Sequence, residues 1–497
     1  MIEGIGVVTA DEMKRVEQLA FAAKESDLAY MEKAATGIAA FIEKALLTPT
    51  AAGDIHLLIG KGNNGGDALF AGALLLNKGF SVTAFLLHPL EECAPLSQKM
   101  GKRFKKAGGN TQKIDHPPQF SPKGIIVDGL VGTGFQGAAK GLLAEVIEAA
   151  NKSSLPIFAI DIPSGLNGNT GEVETVAIHA KTTIYLGLPK IGFFLKQGWD
   201  HVGTLKGVDF GMPDKFVEEA EIAAHLIKQE QIVKELPPIT RTRHKYQAGY
   251  VLAMAGSSGM PGAALLSCYA TLKTGAGIVR LFYPNEMKDE LNPAPFELIK
   301  EGWDLTNDER ILEEAKRAKA LIVGPGIGRD EKTHQALKSL LTKSTLPTII
   351  DADALYFLAK DPSIPLPEKT ILTPHHQEMQ RILALEPTLE RCQEFSNEKK
   401  VTVVLKGAPT FVFHPRTKPL IIPYGDPGMA TAGTGDVLTG VIASMVAQGL
   451  DLQNGAALGV LIHSIAGELA AHWKSSYGMT ATDLLHALPE AILNLSK

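Results

Sequence analysis

Cysteine is scarce in this 497-residue chain: three residues, Cys93, Cys268 and Cys392, far apart and odd in number. No Cys-x-x-Cys pair occurs, which excludes a disulfide framework and a thiolate zinc site and fits a reducing compartment. Long runs of one charge are also lacking, and the net charge is only −5. Nothing therefore points to nucleic acid or to an anionic membrane surface. No uncharged apolar stretch approaches the roughly 20 residues that span a bilayer. Residues 1–17 carry acidic side chains early and no apolar h-region, so a secretory signal is not expected and a cytoplasmic protein is.

What is present is ordinary globular composition, 45% hydrophobic and 21% charged. The length exceeds what one core supports, about 250–300 residues, so two domains are expected. A helical stretch over 11–47 is followed by strand-like runs at 56–60, 82–87, 124–130, 157–161 and 183–187. Between the first two, Leu69, Ala73, Leu76 and Phe80 recur at helical spacing. Near Gly211 the texture turns charged and Pro-containing, with a short helix expected over 218–235. Strand signals resume at 250–256, 278–283, 320–324, 348–351, 370–373, 401–406, 411–414 and 420–424, and the last 65 or so residues read as helices broken near Gly478. Short apolar strands alternating with amphipathic helices predict an α/β fold with mostly parallel sheets. The boundaries read as residues 1–215, a linker at 216–240, and residues 241–497.

In open parallel sheets ligands sit beyond the carboxyl ends of the strands, and the Gly-rich polar segments fall there. The strongest is Pro427-Gly428-Met429-Ala430-Thr431-Ala432-Gly433-Thr434-Gly435-Asp436, before an apolar helix at 437–447. Small residues admit a phosphate to the backbone, and a helix start offers unpaired N–H donors. An aspartate there can accept the proton of an attacking hydroxyl. The plainer alternative is Asp436 as a helix cap. In the first half, Lys61-Gly62-Asn63-Asn64-Gly65-Gly66-Asp67, the loop at 128–135 and Asp161-Ile162-Pro163-Ser164-Gly165 each follow a strand run. Each alone could be turn chemistry; together they could converge on one pocket, with Asn and Asp oxygens suited to a hard cation.

The Asp436 segment resembles the anion hole of the ribokinase-like superfamily, and within it the ADP- or ATP-dependent NAD(P)H-hydrate dehydratase family. Agreeing pieces follow in order: Met260-Pro261-Gly262-Ala263-Ala264, Thr274-Gly275-Ala276-Gly277, Gly324-Pro325-Gly326-Ile327-Gly328, Asp351-Ala352-Asp353-Ala354-Leu355, Leu372-Thr373-Pro374-His375 and Leu405-Lys406-Gly407-Ala408. The resemblance implies a ribokinase-like sandwich in which a nucleotide, ADP or alternatively ATP, phosphorylates the C6 hydroxyl of hydrated NADH or NADPH with Mg2+, after which phosphate leaves. It makes Asp436 the base. It assigns Gly435 with Lys406, Gly407, Ala408, Pro409 and Thr410 to the nucleotide, and Ala263, Gly326, Gly328 and His375 to the hydrate. His375 alone would read as a solvated loop histidine. The sequence departs from the family at Tyr246, at His376-Gln377, at Asp426 and at Ala432. The cluster Arg241, Arg243, His244 and Lys245 is either a phosphate-facing patch or a solvated linker.

The three N-terminal loops resemble the NAD(P)H-hydrate epimerase family over about residues 8–211, implying a Rossmann-like three-layer sandwich that interconverts R and S hydrates beside a potassium ion. By that resemblance Asn64, Asp128 and Ser164 ligate potassium. Asn63, Asn64, Gly65, Gly66 and Asp67, with Gly132, Thr133, Gly134, Phe135, Gln136, Gly137 and Ala138, hold the hydrate, and Asp161 does acid–base work. Ala68 and Ala35 replace usual glycines. The pairing matches the bifunctional NAD(P)H-hydrate repair family, and a homo-oligomer is expected. The rival readings are a vitamin-type small-molecule kinase fused to a regulatory domain, and an N-terminal domain that only binds ligand or oligomerises.

Overall fold

The computed structural model describes residues 4–23, 26–47, 53–292 and 294–496. It divides into two compact units, one of residues 6–224 and one of residues 225–497 with the first five residues.

In the first unit the strands are β1 (Asp54–Ile59), β2 (Val82–Leu86), β3 (Asn110–Lys113), β4 (Gly124–Gly129), β5 (Ile157–Ile160), β6 (Thr182–Leu186) and β7 (Thr204–Val208). They form one sheet in the order β3-β2-β1-β4-β5-β6-β7, every pair parallel. The helices are α1 (Ala10–Ala22), α2 (Asp27–Leu46), α3 (Asn63–Asn77), α4 (Pro95–Lys106) and α5 (Leu142–Lys152). Two apolar clusters flank the sheet: Ile38, Leu69 and Phe104 of α2, α3 and α4 belong to one, and Val146 and Ile147 of α5 to the other. This is a three-layer, doubly wound fold whose strand order reverses between β1 and β4, the crevice where such sheets bind ligands. The central strands matched their apolar runs. The polar edge strands β3 and β7, mostly exposed, carry no such run and were not expected.

In the second unit the strands are β8 (Ala224–Leu226), β9 (Tyr250–Met254), β10 (Ile278–Pro284), β11 (Ile299–Trp303), β12 (Ala320–Val323), β13 (Thr348–Ile350), β14 (Thr370–Leu372), β15 (Thr402–Leu405), β16 (Thr410–Phe413) and β17 (Leu420–Ile422). Their order is β8-β17-β16-β15-β14-β13-β12-β9-β10-β11, parallel except that β16 runs against β15 and β17. Four helices, α6 (Pro261–Lys273), α8 (Thr434–Ala447), α9 (Leu452–Lys474) and α10 (Ala481–Leu495), share one core over this sheet; α7 (His376–Leu383) follows β14. α8 is buried on nearly every side, as an all-round apolar helix must be. α9 is long and apolar enough to cross a membrane by composition, contrary to expectation, but 83% of its most apolar window is buried inside the protein.

The helix expected over 218–235 does not form. Asp214–Glu218 and Gln229–Ile232 are single turns, and between them β8 pairs with the apolar edge strand β17, its flanks tied by His225 N to Pro419 O at 2.8 Å and Ile227 N to Ile421 O at 2.9 Å. Covering that edge outweighs the local helix propensity. All three cysteines are buried free thiols.

Candidate functional site

The N-terminal loops gather at the β1/β4 crevice. Gly60 ends β1 so close to β4 that a Cβ there would lie 1.7 Å from the Leu130 carbonyl oxygen. The chain then turns at Gly62 and opens α3 with Asn63. A cavity of about 580 Å³ lies here, lined by Asn63, Asn64 and Asp67 of α3, by residues 130–136 after β4, and by Asp161. Of the expected hydrate contacts, Asn63, Asn64, Asp67, Gly132, Thr133, Gly134, Phe135 and Gln136 border this space. Gly65 and Gly66 instead face protein: a Cβ on Gly65 would meet the Gly60 oxygen at 2.5 Å, and one on Gly66 the Ser97 hydroxyl at 2.9 Å. Gly137 and Ala138 lie outside the lining. Ala68, which stands in place of a usual glycine, is buried, and a Cβ on Gly129 would lie 2.7 Å from its own, so the Ala68 methyl leaves room only for glycine at 129.

Asn64, Asp128 and Ser164 are brought together. The Ser164 hydroxyl donates to Asp128 Oδ1 at 2.6 Å and the Ser164 amide to Oδ2 at 2.8 Å. The Asn64 side-chain amide donates to the Val131 carbonyl at 3.0 Å and the Ile160 carbonyl at 3.2 Å, which leaves its Oδ1 as the acceptor. Burial pushes Asp128 up to about 6, against the pull of the Ser164 hydroxyl and the Ser164 and Leu130 amides; none of these partners is a cation.

Asp161 sits at the end of β5 in a left-handed conformation, φ 64°. Its Oδ1 takes Lys190 Nζ at 2.5 Å, both side chains buried, and Lys190 also donates to the Leu186 carbonyl at 2.9 Å. Asp161 Oδ2 lies on the Gly132 side, 3.6 Å from where a Gly132 Cβ would stand. Glu17 of α1 borders the same cavity. Burial first, then the neighbouring Asp161, pushes Glu17 up to about 7, with Lys190 opposing. Asp67 is raised well above its ordinary range by burial, Asp161 and Glu17. The sequence reading missed Glu17 and Lys190. Lys190 had no sequence signal, but Glu17 falls among Met13, Val16 and Ala20, the buried stripe of α1, where a carboxylate is out of place.

In the second unit the carboxyl ends of β9, β12, β13, β14 and β15 lie side by side, and each carries one of the expected pieces. After β9 and β12, the Ser257 hydroxyl donates to the Gly326 carbonyl at 2.8 Å, and Ala263 stands 3.0 Å from where a Gly326 Cβ would be. Gly326 and Gly328 both have positive φ, and the Gly328 amide donates to Asp353 at 3.2 Å. After β13, Asp351 accepts Lys406 Nζ at 2.8 Å and the Thr439 hydroxyl at 2.7 Å. Lys406 bridges in parallel to His375; Gly407 and Ala408 are exposed and Pro409, in a cis peptide, is buried. His375 caps α7: its Nδ1 accepts the Glu378 amide at 3.2 Å while Glu378 accepts its amide at 2.8 Å.

Asp436 is not the cap of α8. That place is taken by Gly433, φ 93°, and Asp436 stands in the first turn, beside Gly435, whose Cβ position is 3.3 Å from Lys406 Nζ. Burial, then Asp351 and Asp353, pushes Asp436 up to about 7 against the pull of Lys406. For Lys406, burial works downward, but Asp351 and Glu378 prevail and raise it. A carboxyl beside an ammonium and an open helix start can take a hydroxyl proton while an anion is held. Thr439 and Asp351 hold Lys406 and α8 together; Asp351 stood in one of the quoted pieces without a role, and Thr439 was not singled out from sequence.

Two of the departures have clear structural roles. Asp426 caps the turn Pro427–Met429 by accepting from the Gly428 amide at 2.7 Å and the Ser476 hydroxyl at 3.0 Å. Ala432 is exposed and lacks a positive φ, so it demands no glycine. The basic cluster is not uniformly phosphate-facing: Arg243 donates to Gln448 Oε1 at 2.7 Å and to the Ala248 and Gly275 carbonyls, both at 3.3 Å.

Residues 251–490 match the family model described as NAD(P)H-hydrate dehydratase, and residues 27–192 the one described as YjeF-related protein N-terminus. The chain is 35% identical to the bifunctional NAD(P)H-hydrate repair enzyme Nnr of Moorella thermoacetica, over 99% of this chain and 97% of that one. It is 32% identical to the protein of the same name from Thermofilum pendens, over 98% and 96%. A solved ribokinase-like superfamily protein from Enterococcus faecalis is similar with a TM-score of 0.50 at 28% identity, covering 54% of this chain and 95% of that one. Fold and sites define a two-domain α/β enzyme, a Rossmann-like unit followed by a ribokinase-like one. The chain belongs to the bifunctional NAD(P)H-hydrate repair enzyme family.

Proposed function

We infer that this chain repairs hydrated NADH and NADPH by both reactions of its family: epimerisation of the hydrates in the first unit and nucleotide-dependent dehydration of the S form in the second. The observation that carries the second reaction is the arrangement of Asp436 in the first turn of α8, beside Lys406 and Asp351. Hydroxide is a poor leaving group. Asp436 takes the C6 hydroxyl proton, the oxygen attacks the terminal phosphoryl of ADP, and AMP departs; phosphate then leaves C6 and a C5 proton passes to water as the ring double bond returns. Lys406 and the amides opening α8 offset the charge that develops on the phosphoryl oxygens. Among the described residues no group of three or more His, Cys, Asp or Glu side chains is arranged to hold a metal, so Mg2+ would ride mainly on nucleotide phosphates and water.

For potassium the residues fit. Asn64 Oδ1, Asp128 and Ser164 Oγ are oxygen donors in one buried cluster, and Asp128 is a carboxylate with no cationic partner among its contacts. A bound potassium would supply that charge and anchor the loops after β4 and β5.

The test is a mixture of hydrate epimers incubated with ADP, ATP or no nucleotide, following reduced nicotinamide and free phosphate. Full recovery of both epimers with ADP, one phosphate per molecule, is expected. A phosphorylated product that accumulates without reduced nicotinamide would assign a kinase instead.

A further inference from the structure

Asp161 does not meet the cavity alone. Glu17, Asp67 and Asp161 all border it, and they come from three separate elements: α1, α3 and the end of β5. Their surroundings differ. Asp161 is ion-paired to Lys190. Asp67 is nearly inaccessible at 7% exposure, one turn into α3. Glu17 is partly exposed and has no ion-pair partner among the described residues, whereas Glu12 on the same helix is spent on Arg15 and the Glu221 amide.

We propose that Glu17 is a second catalytic residue of the N-terminal site, exchanging protons with the hydrate's C6 oxygen in partnership with Asp161. The proposal rests on the epimerase reading above. Inverting C6, which bears a hydroxyl next to the ring nitrogen N1, needs one proton delivered and another removed. The Glu17 carboxyl gives its proton to the hydroxyl, the C6–O bond breaks and water leaves, and the N1 lone pair becomes the C6=N1 π bond. Water then adds to the opposite face; as the new O–C6 bond forms, N1 regains its pair and Asp161 takes the proton. Cavity water returns that proton from Asp161 to Glu17. Positive charge on N1 would develop among carboxylates, which favours it electrostatically. Pairs of carboxyl groups whose environments differ in this way divide acid and base roles. Burial beside Asp161 pushes Glu17 up to about 7, so it carries a proton near neutrality and can also release it. The other titratable groups bordering the cavity are Asp67, Asp161, Lys61 and His88, with Lys190 behind Asp161.

The experiment uses the full chain, purified R hydrate and no nucleotide, and follows formation of the S form. E17Q should lower kcat on the order of 10²-fold, the scale of general acid–base catalysis, with KM within about threefold. Its dehydration of S hydrate with ADP should match that of the unaltered chain. E17Q epimerising at the unaltered rate, or losing KM with kcat intact, overturns the proposal. E17D keeps the test alive if E17Q does not fold: withdrawing the carboxyl by one methylene should lower kcat about tenfold while retaining a pH-dependent rate, and an unchanged kcat again overturns it. An unaltered chain that does not epimerise would instead defeat the underlying reading, a result independent of any Glu17 variant.

Discussion

Lys190 and Asp161 form a buried ion pair, Nζ to Oδ1 2.5 Å, at the cavity of the N-terminal unit. Lys190→Met would leave the Asp161 carboxylate buried without its partner, close to Glu17 and Asp67. Removing one member of such a pair costs about 3–5 kcal/mol. Calorimetry should show one unfolding transition displaced downward and the other in place, with R hydrate no longer converted. An unmoved thermogram would contradict the pairing.

Asp436→Asn removes the proposed base without changing the side chain's shape. Nucleotide-dependent dehydration should fall by about 10²–10⁴-fold, while R-to-S conversion continues at its usual rate. The readout is the disappearance of the hydrate's absorbance with ADP. Dehydration near the normal rate would remove Asp436 from the chemistry.

The pH dependence has a defined sign. Asp436 must be a carboxylate to accept a proton, and burial holds it up at about 7. The value of kcat/KM for S hydrate should therefore rise with pH to a plateau above about 7, and fall about tenfold per pH unit below. A profile that is flat between about pH 5.5 and 8 would mean that another group is the base.

Two neighbouring positions in the anion loop should respond differently. Gly433 has φ 93°, and Gly433→Ala forces a side chain into that conformation against Leu266 and Ala481. The strain costs about 1–2 kcal/mol and should weaken nucleotide binding. Ala432→Gly restores the residue usual in the family, but position 432 is exposed without positive φ, so nucleotide affinity should change by less than about twofold. Titration calorimetry with ADP compares the two.

Both folds were legible wherever strands are buried on both sides: β12 is an unbroken apolar run, and β1, β4 and β13 carry apolar runs at Leu57–Ile59, Ile125–Val127 and Ile349–Ile350. The edge strands β3, β7 and β11 were not, because an edge needs no apolar alternation, and the three-residue β8 is too short to show a pattern. Within the sites, loops at strand ends announced Asn64, Asp161 and Asp436 through their glycines. Lys190 and Thr439 act by reaching a partner 29 and 88 residues away, a relation no local pattern carries. Glu17 lies between. Helical spacing alone puts it on the buried stripe of α1 with Met13, Val16 and Ala20, and a carboxylate on such a stripe is a usable signal.

β8 also has a bearing on how the dehydratase half can be separated. The stretch between the two family segments reads as a spacer, and residue 241 looks like a natural place to begin an isolated fragment. Such a fragment would lack Ala224–Leu226 and leave Leu420–Ile422 paired on one side only, along an apolar rim. Unpaired apolar rims recruit other chains. A dehydratase half started a few residues before 224 keeps β17 covered and should self-associate less than one started at 241 under the same conditions.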